Sequence, residues 1–554
     1  MKRMTFSSLG ALAAVAVVAP VHAQDGEAVG EALAEQDSRR DGGGRIGRIS
    51  PYIEASQVVT AELSPGNDVV TYTQVAAGVD ATVQGRNTGA SVSIRYEYNI
   101  GYGDASDSNT LSGVARGYAS IVPQVLTVEG GAMAARTRVD GNGGSTLNPL
   151  IDEDSDSRIY SVYAGPTLHT RAGDAEINAN YRIGYTRVDA PDAVQTAPGA
   201  DPIDVFDESV VQSAGVHIGT SPGRPLPVGL GVGAGWVQED ISNLDQRVRD
   251  MHVRGDVSVP VTQSLAVVGG VGYEDVEVSA RDAVRDADGN PVIGDDGRLV
   301  TDTSQPRQIA YEADGLIWDV GVMWRPSSRT ALEAHVGRRY DSTSYYGTFS
   351  YAPNRRSSLN VSVYDSVSGF GNLLTTALAN LPTEFNATRN ALTGDFTGCV
   401  DGAEGDNCLA GTLASVRSSV FRSRGVAANY GVNLGRLSTG IGAGYDRRKF
   451  IAAPGTILAD ANGVVDESYY VSAYLSGELG RNAGFTTNAY ANWINSGFAN
   501  SGDVFALGGS AAYSQSLFDG LSARAAVALD HLDSEISDED LTAASALLGL
   551  RYDF

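Results

Sequence analysis

From about Arg48 to the C-terminus the chain repeats one pattern: apolar and polar residues alternate over about ten positions, and a turn follows. In SVSIRYEYNIGY, Val92, Ile94, Tyr96, Tyr98, Ile100 and Tyr102 share one face, opposite Ser91, Ser93, Arg95, Glu97 and Asn99. In AEINANYRIGYT, Ala175, Ile177, Ala179, Tyr181, Ile183 and Tyr185 stand opposite Glu176, Asn178, Asn180, Arg182 and Thr186. GLIWDVGVMW sets Leu316, Trp318, Val320, Val322 and Trp324 against Ile317, Asp319, Gly321 and Met323. A period of two is a strand with two unlike faces. Strands of soluble sandwiches average about five or six residues, whereas a tilted strand that crosses hydrocarbon needs about 9 to 11. These runs match the longer length. Aromatic residues at the ends of the apolar face predict girdles at the two membrane interfaces. An unpaired sheet edge is excluded from lipid, so the sheet has to close on itself.

The connections fall into two alternating classes. One is tight: QGRNTG at 84–89, VPQ at 122–124, RAGD at 171–174, SPGRP at 221–225, PVTQS at 260–264, RPSSR at 325–329, PNRR at 353–356, GRL at 435–437, GRNAG at 480–484 and SLFDG at 516–520. These read as periplasmic turns. The other class is longer and more acidic, near 138–157, 189–207, 279–307, 366–423 and 451–466, and reads as surface loops. The punctuation predicts an all-β, antiparallel up-and-down transmembrane barrel of about 22 strands, give or take about two to four, with both termini periplasmic. The last segment, ALLGLRYDF, puts Leu548, Leu550, Tyr552 and Phe554 on one apolar face. It resembles the C-terminal signal by which outer-membrane barrels are recognised by their assembly machinery. Closure requires this strand to pair with the first, near Arg48 to Leu63.

The N-terminus supplies the compartment. Lys2 and Arg3, an apolar run from Leu9 to Ala19, and Val21-His22-Ala23 before Gln24 form a secretory signal over 1–23. A polar, Gly-rich leader follows over 24–47, and the barrel occupies 48–554. The apolar run is far shorter than the roughly 20 residues of a spanning helix, and no cysteine stands at the cleavage site to take a lipid. The expected location is the outer membrane. The formal net charge of −26 excludes a nucleic-acid partner, because phosphate contacts need clustered basic residues. Lysine occurs only at 2 and 449, which codon bias in a GC-rich genome explains.

Strand parity turns Arg95, Glu97, Arg116, Glu176, Arg182, Arg254, Asp256, Asp319, Glu333, Glu478 and Arg524 toward the lumen. Their mixed signs predict neutralising networks rather than the single-sign rings of an ion-selective pore. His169, His217, His252 and His335 face the same way, and with His531 they form no spaced motif. Neither an enzyme nor a cofactor is expected. DADGNPVIGDDG, at 286–297, partly mimics a calcium loop but has Gly297 in place of the final Glu and Pro291 where the loop needs Gly, so it reads as a surface hairpin and no metal site is assigned. The acidic run at 533–540 reads as a charged loop, and GLGVGAGW at 229–236 lacks the helix a phosphate-binding glycine loop requires. Cys399 and Cys408, in an exported chain, predict a local disulfide.

Three stretches carry a family resemblance: LSGVARGYASIVPQVLTVEGGAMAARTRVD from Leu111, GLIWDVGVMWRPSSRTALEAHVGRRY from Gly315, and FNATRNALTGDFTGCVDGAEGDNCL from Phe385. They resemble outer-membrane β-barrels found with exopolysaccharide and PEP-CTERM protein-sorting systems. Some members carry the label preprotein translocase subunit YajC. That label implies a short protein with one membrane helix, and the residues here provide no such helix after the signal. The resemblance implies a polysaccharide, or its export proteins, as partner, beside outer-membrane lipid, lipopolysaccharide and the barrel-assembly machinery. A barrel of about 22 strands is too wide to be filled by its own wall. A TonB-dependent receptor of that width carries a plug ahead of the barrel, and the leader here is too short for one. Two functions stay open: a channel or export conduit for a hydrophilic passenger, or a non-conducting structural or surface-interaction barrel acting through its loops. GNLLTTALANL, Gly371 to Leu381, is a candidate short helix inside or above the barrel.

Overall fold

The computed structural model describes residues 46–103, 107–139, 145–146, 156–189, 208–402, 407–413, 416, 418–498, 502–535 and 539–554. The signal expected over 1–23 lies outside the described residues. So do all but the end of the leader, most of the loop near 138–157 and all but the first residue of the loop near 189–207.

Twenty-two antiparallel strands form one closed ring, from Ile46–Ser64 to Glu539–Asp553. Each strand pairs with its neighbours in sequence, and the ring closes where the first meets the last, from Tyr52 opposite Asp553 to Ser64 opposite Thr542. One further strand of two residues, Ser145–Thr146, pairs only with the end of Leu126–Val139. The tight turns fall where the sequence punctuates them. In RAGD, for example, Gly173 takes a φ of 66°, a left-handed conformation open to glycine at no steric cost.

Strand length departs from expectation. The strands run from 10 residues in Thr330–Arg339 to 20 in Gln308–Ser327, and all but the shortest exceed the about 9 to 11 that hydrocarbon demands. The surplus lies at the loop end, where the outward positions turn polar and neutralise one another across strands. Arg247 meets Asp240 at 2.5 Å, and Arg249 meets Asp275 at 3.4 Å. Below that level the outer face is apolar and exposed, as at Leu316, Trp318 and Val320. So large an apolar surface fits lipid rather than water. Leu548, Leu550, Tyr552 and Phe554 all lie on it.

The segment expected as a long loop at 366–423, with a helix inside or above the barrel, takes the inner of those two placements. It folds into the ring, as helix Phe370–Ala379, a three-stranded antiparallel sheet of Phe385–Arg389, Phe396–Gly402 and Asn407–Cys408, and a short helix Ala410–Leu413. The helix starts after Gly369 and stops before Pro382, within two residues of the span expected from sequence. Burial drives the insertion. Phe370, Leu374, Leu378, Phe396 and Val400 are apolar on the segment, and Val114, Met133, Ala135, Ile159 and Val188 are apolar on the inner wall; together they make one core. Each large side chain so buried contributes about 1.5–3 kcal/mol. Cys399 is disulfide-bonded, and the backbone register sets Cys408 directly across from it.

At the loop end, the hairpin around 283–301 packs on the connection at 451–464. Leu244, Ala283 and Leu299 meet Ile457 and Leu458, and Ile457 N–H donates to Asp282. Burial acts to raise the Asp245 carboxyl, but hydrogen bonds from Arg281 and Arg307 outweigh it and hold the group below the usual range. Asp286, first residue of the calcium-like stretch, accepts the N–H groups of Asp288 and Asn290 and so shapes a hairpin turn.

Candidate functional site: the lumen and its internal plug

The inserted segment is fastened at both ends of the ring. Near the loop end, Glu239 accepts the backbone N–H groups of Gly369 at 2.7 Å and Asn372 at 3.2 Å, and the Ser209 hydroxyl at 2.8 Å. A carboxylate at a helix N-terminus satisfies orphan donors and complements the helix dipole. The helix lies so close to the wall that a Cβ on Gly184 would sit 2.5 Å from Thr375 Cγ2. Near the turn end, Ser438 donates to Asp401 at 2.6 Å, and the Ser91 hydroxyl donates to Thr383 O at 3.1 Å. Between these levels Arg136 forms a buried pair with Asp395 at 2.9 Å. Arg389 reaches Ser93 and Ser112, Gln74 reaches Leu392 O, and Arg524 reaches Ala391 O at 2.8 Å. The contacts therefore run from strand Val69–Gln84 around to strand Leu521–Ser534 and span the height of the lumen.

The residues picked out by parity gather into three clusters. Arg95, Glu97 and Arg524 meet through Glu54: Arg95 lies 2.8 Å from Glu54 and 3.1 Å from Glu97, and Arg524 lies 3.1 Å from Glu54. Arg116 and Arg182 share Glu129, at 3.4 and 3.3 Å, with Arg182 over the Tyr163 ring. In both clusters most partners are nearly water-free; the Arg95 side chain is 2% exposed. The third cluster joins Arg254, Asp256, Asp319 and Glu333. Arg254 bridges Asp319 at 2.7 Å and Asp256 at 3.3 Å, and His335 links Asp319 and Glu333 at 2.9 Å each while stacking on Tyr346. His217 adds a 3.3 Å contact to Asp256. Two residues stay apart: Glu176 pairs with Arg171 beside a turn, and Glu478, exposed at the end of its strand, has no ion pair among the described residues.

The third cluster differs from the others in how it lies, and only its His217 edge is distinctly exposed. The His217 side chain is 33% exposed and that of Arg254 17%. Gly231 stands opposite Asp256, Gly235 opposite His252 and Gly321 opposite His335. A Cβ on Gly235 would come within 2.4 Å of the His252 ring, and one on Gly231 within 2.6 Å of both His217 and Asp256. The ionisable side chains thus lie flat across glycines instead of standing into the lumen. GLGVGAGW, with its glycines at 229, 231, 233 and 235, supplies part of that floor. Higher on the same wall Arg339 pairs with Asp250 at 2.7 Å and with Glu274 at 3.1 Å, and Tyr340 donates to Asp250.

Sequence reasoning left out Glu54, Glu129, Asp250, Glu274 and Arg339. Glu54 and Glu129 alternate with outward apolar residues and were open to the parity argument, whereas Asp250 and Glu274 stand where the outward neighbours Arg249 and Asp275 are polar. Arg339, at a strand end, was not open to it. Nor were Glu239 and Asp395 in their roles, since those depend on where a distant segment docks.

No protein-family model matches the chain, and no curated protein matches it either. Among solved structures it is similar to the FrpB iron transporter of Neisseria meningitidis, at a TM-score of 0.42 and 10% identity over 92% of this chain and 81% of that one. It is similar also to the ferric-catecholate import receptor Fiu of E. coli, at 0.43 and 8% over 90% and 81%. A third is the siderophore receptor PirA of Acinetobacter baumannii, at 0.41 and 10% over 92% and 80%. The chain is an all-β barrel whose ring has 22 antiparallel strands.

Proposed function

We propose that this barrel is a gated conduit for a hydrophilic passenger and that its own segment 369–420 is the gate. The observation that carries the reading is the wall from His217 to His335, where charges of both signs lie flat over glycines outside the core that seats the plug. Alternating donors and acceptors with no ring of one sign suit a passenger rich in hydroxyl groups better than a simple ion. The family resemblance points to exopolysaccharide, with its export proteins as partners. The apolar face of Leu548, Leu550, Tyr552 and Phe554 then serves the assembly machinery.

One observation favours a second reading, a non-conducting barrel that acts through its loops. The plug is pinned by a buried ion pair, by Glu239 at its helix and by hydrogen bonds around most of the ring. A fixed plug of that kind closes the lumen for good.

Planar-bilayer recordings separate the two. The full chain is expected to be closed at rest, and a variant lacking 371–418 is expected to conduct. Silence in both forms would sink the conduit. Conductance in the full chain that solute flux or a mild reductant raises would exclude the fixed plug.

A further inference from the structure

The outer wall carries a site of its own, between strands Ser357–Ser368 and Ala483–Asn495. Register places Asp365, Arg424, Arg447 and Glu467 in one row across four neighbouring strands, with Arg422 opposite Lys449 in the row above. These positions share strand parity with Val426 and Tyr469, which are exposed to lipid. The next row toward the membrane holds Tyr445, Tyr469, Trp493 and Phe505. The Tyr445 and Tyr469 rings are 4.9 Å apart, and those of Trp493 and Phe505 are 5.2 Å apart. Below them Ala428 stands opposite Ala443, and the small side chains leave an apolar groove of about 640 Å³ under the aromatic rings.

The charges above that groove do not balance. Buried Asp365 takes both Arg422, at 2.7 Å, and Arg424, at 3.2 Å. Glu467 is shared between Arg447, at 3.6 Å, and the Tyr445 hydroxyl. Lys449 has no ion-pair partner among the described residues, and it is the only lysine after residue 2. Four cations thus face two anions, on a chain whose net charge is −26. Like charges directly across a strand pair repel, and here Arg422 faces Lys449 while Arg424 faces Arg447. A bound anion relieves that repulsion.

We infer that this groove and patch hold an outer-leaflet lipid whose headgroup carries phosphate. The aromatic row marks the membrane interface, so the cations lie at headgroup height and the groove at the height of the acyl chains. Arg447 and Lys449 contact the phosphate, because Arg422 and most of Arg424 are spent on Asp365, Ser342 and backbone carbonyls. An acyl chain lies over Ala428 and Ala443.

Native mass spectrometry of the full chain in detergent tests the site, with a bisphosphorylated glucosamine lipid and its dephosphorylated counterpart as probes. The wild-type chain is expected to retain the phosphorylated lipid preferentially. Arg447→Gln with Lys449→Gln leaves the Asp365 pairs intact and should lower that retention about tenfold or more. Lys449→Gln alone, at an exposed and unpaired position, should lower it by a smaller factor and guards against misfolding of the double variant. Ala443→Phe, which fills the groove, should reduce retention with the charges in place, whereas Arg247→Gln, on another part of the rim, should not. Equal retention of the two probes, or no change in the variants, would overturn the proposal. So would a shift in oligomeric state on Ala443→Phe, which would make the groove a contact between copies of the chain.

Discussion

The inner wall has two regions that use the same residue types to opposite ends. Along the strands from Ser108–Val122 to Ala175–Asp189, the wall offers Val114, Met133, Ala135, Ile159 and Val188, and the inserted segment covers them. Along the strands from Gly229–Ile241 to Thr330–Arg339, it offers glycines with histidines, carboxylates and arginines laid across them. Gly184 and Gly235 state the contrast most sharply. An added Cβ would strike the plug at the first, at Thr375, and a wall side chain at the second, at His252. The first glycine lets a helix approach; the second lets a ring lie flat. A bare inner position therefore means a seat in one region and clearance in the other, and the polarity of its neighbours tells which.

The largest expected effect is at the Arg136–Asp395 pair, whose side chains are 8% and 3% exposed. Asp395→Ala takes a buried carboxylate from the Arg136 guanidinium, and breaking a buried pair from one side costs about 3–5 kcal/mol. The loss should appear as faster hydrogen exchange confined to Phe385–Arg389 and Phe396–Gly402, and as channel openings in bilayers. On the glycine-lined wall, Asp256→Ala removes one partner of Arg254 but leaves Asp319 at 2.7 Å, so the guanidinium keeps a carboxylate and the effect should be smaller. Equal exchange effects from the two substitutions would dissolve the distinction between plug-covered and glycine-lined wall.

Much of this was legible in the chain, and the reason is geometric. A strand in lipid has one apolar face and a fixed period, so ALLGLRYDF could be read as a closing strand, and its pairing with the first strand followed from ring closure. Turns such as RAGD are short enough for local chemistry to decide them. The helix at 370–379 was visible because GNLLTTALA carries its own apolar spacing. Its destination was not. Nothing local says whether an apolar loop covers the mouth or enters the lumen. The available signal was on the wall: around RIYSVYAG, residues of both parities are apolar, Ile159 and Tyr163 inward and Tyr160 and Val162 outward. A strand apolar on both faces needs a cover on each. Strand length also escaped prediction, because hydrocarbon thickness sets a minimum and the polar extensions above it read as loop.

A smaller effect is expected at Gly184. Gly184→Ala forces a methyl against Thr375, and overpacking of this kind costs about 1–3 kcal/mol. Helix Phe370–Ala379 should loosen at its wall-facing side, with its amides exchanging faster while the sheet at 385–402 exchanges as before. Conductance after deletion of 371–418 should be untouched, since the methyl then has nothing to strike.

Gly235→Ala should do the reverse, and it is the mildest of the set. The three atoms nearest an added Cβ all belong to the His252 ring, the far end of a movable side chain, rather than to backbone. The ring can rotate away, so stability should change by less than about 1 kcal/mol. It has one direction to go, off the wall and toward the lumen, because the outward positions of its strand are occupied by Met251 and Val253. Plug-deleted barrels carrying Gly235→Ala should therefore conduct less than plug-deleted barrels alone, and His252→Ala should restore the current. A lower current that His252→Ala does not restore would show that the methyl acts on the strand itself, and the flat-lying side chains would lose their role in keeping that wall clear.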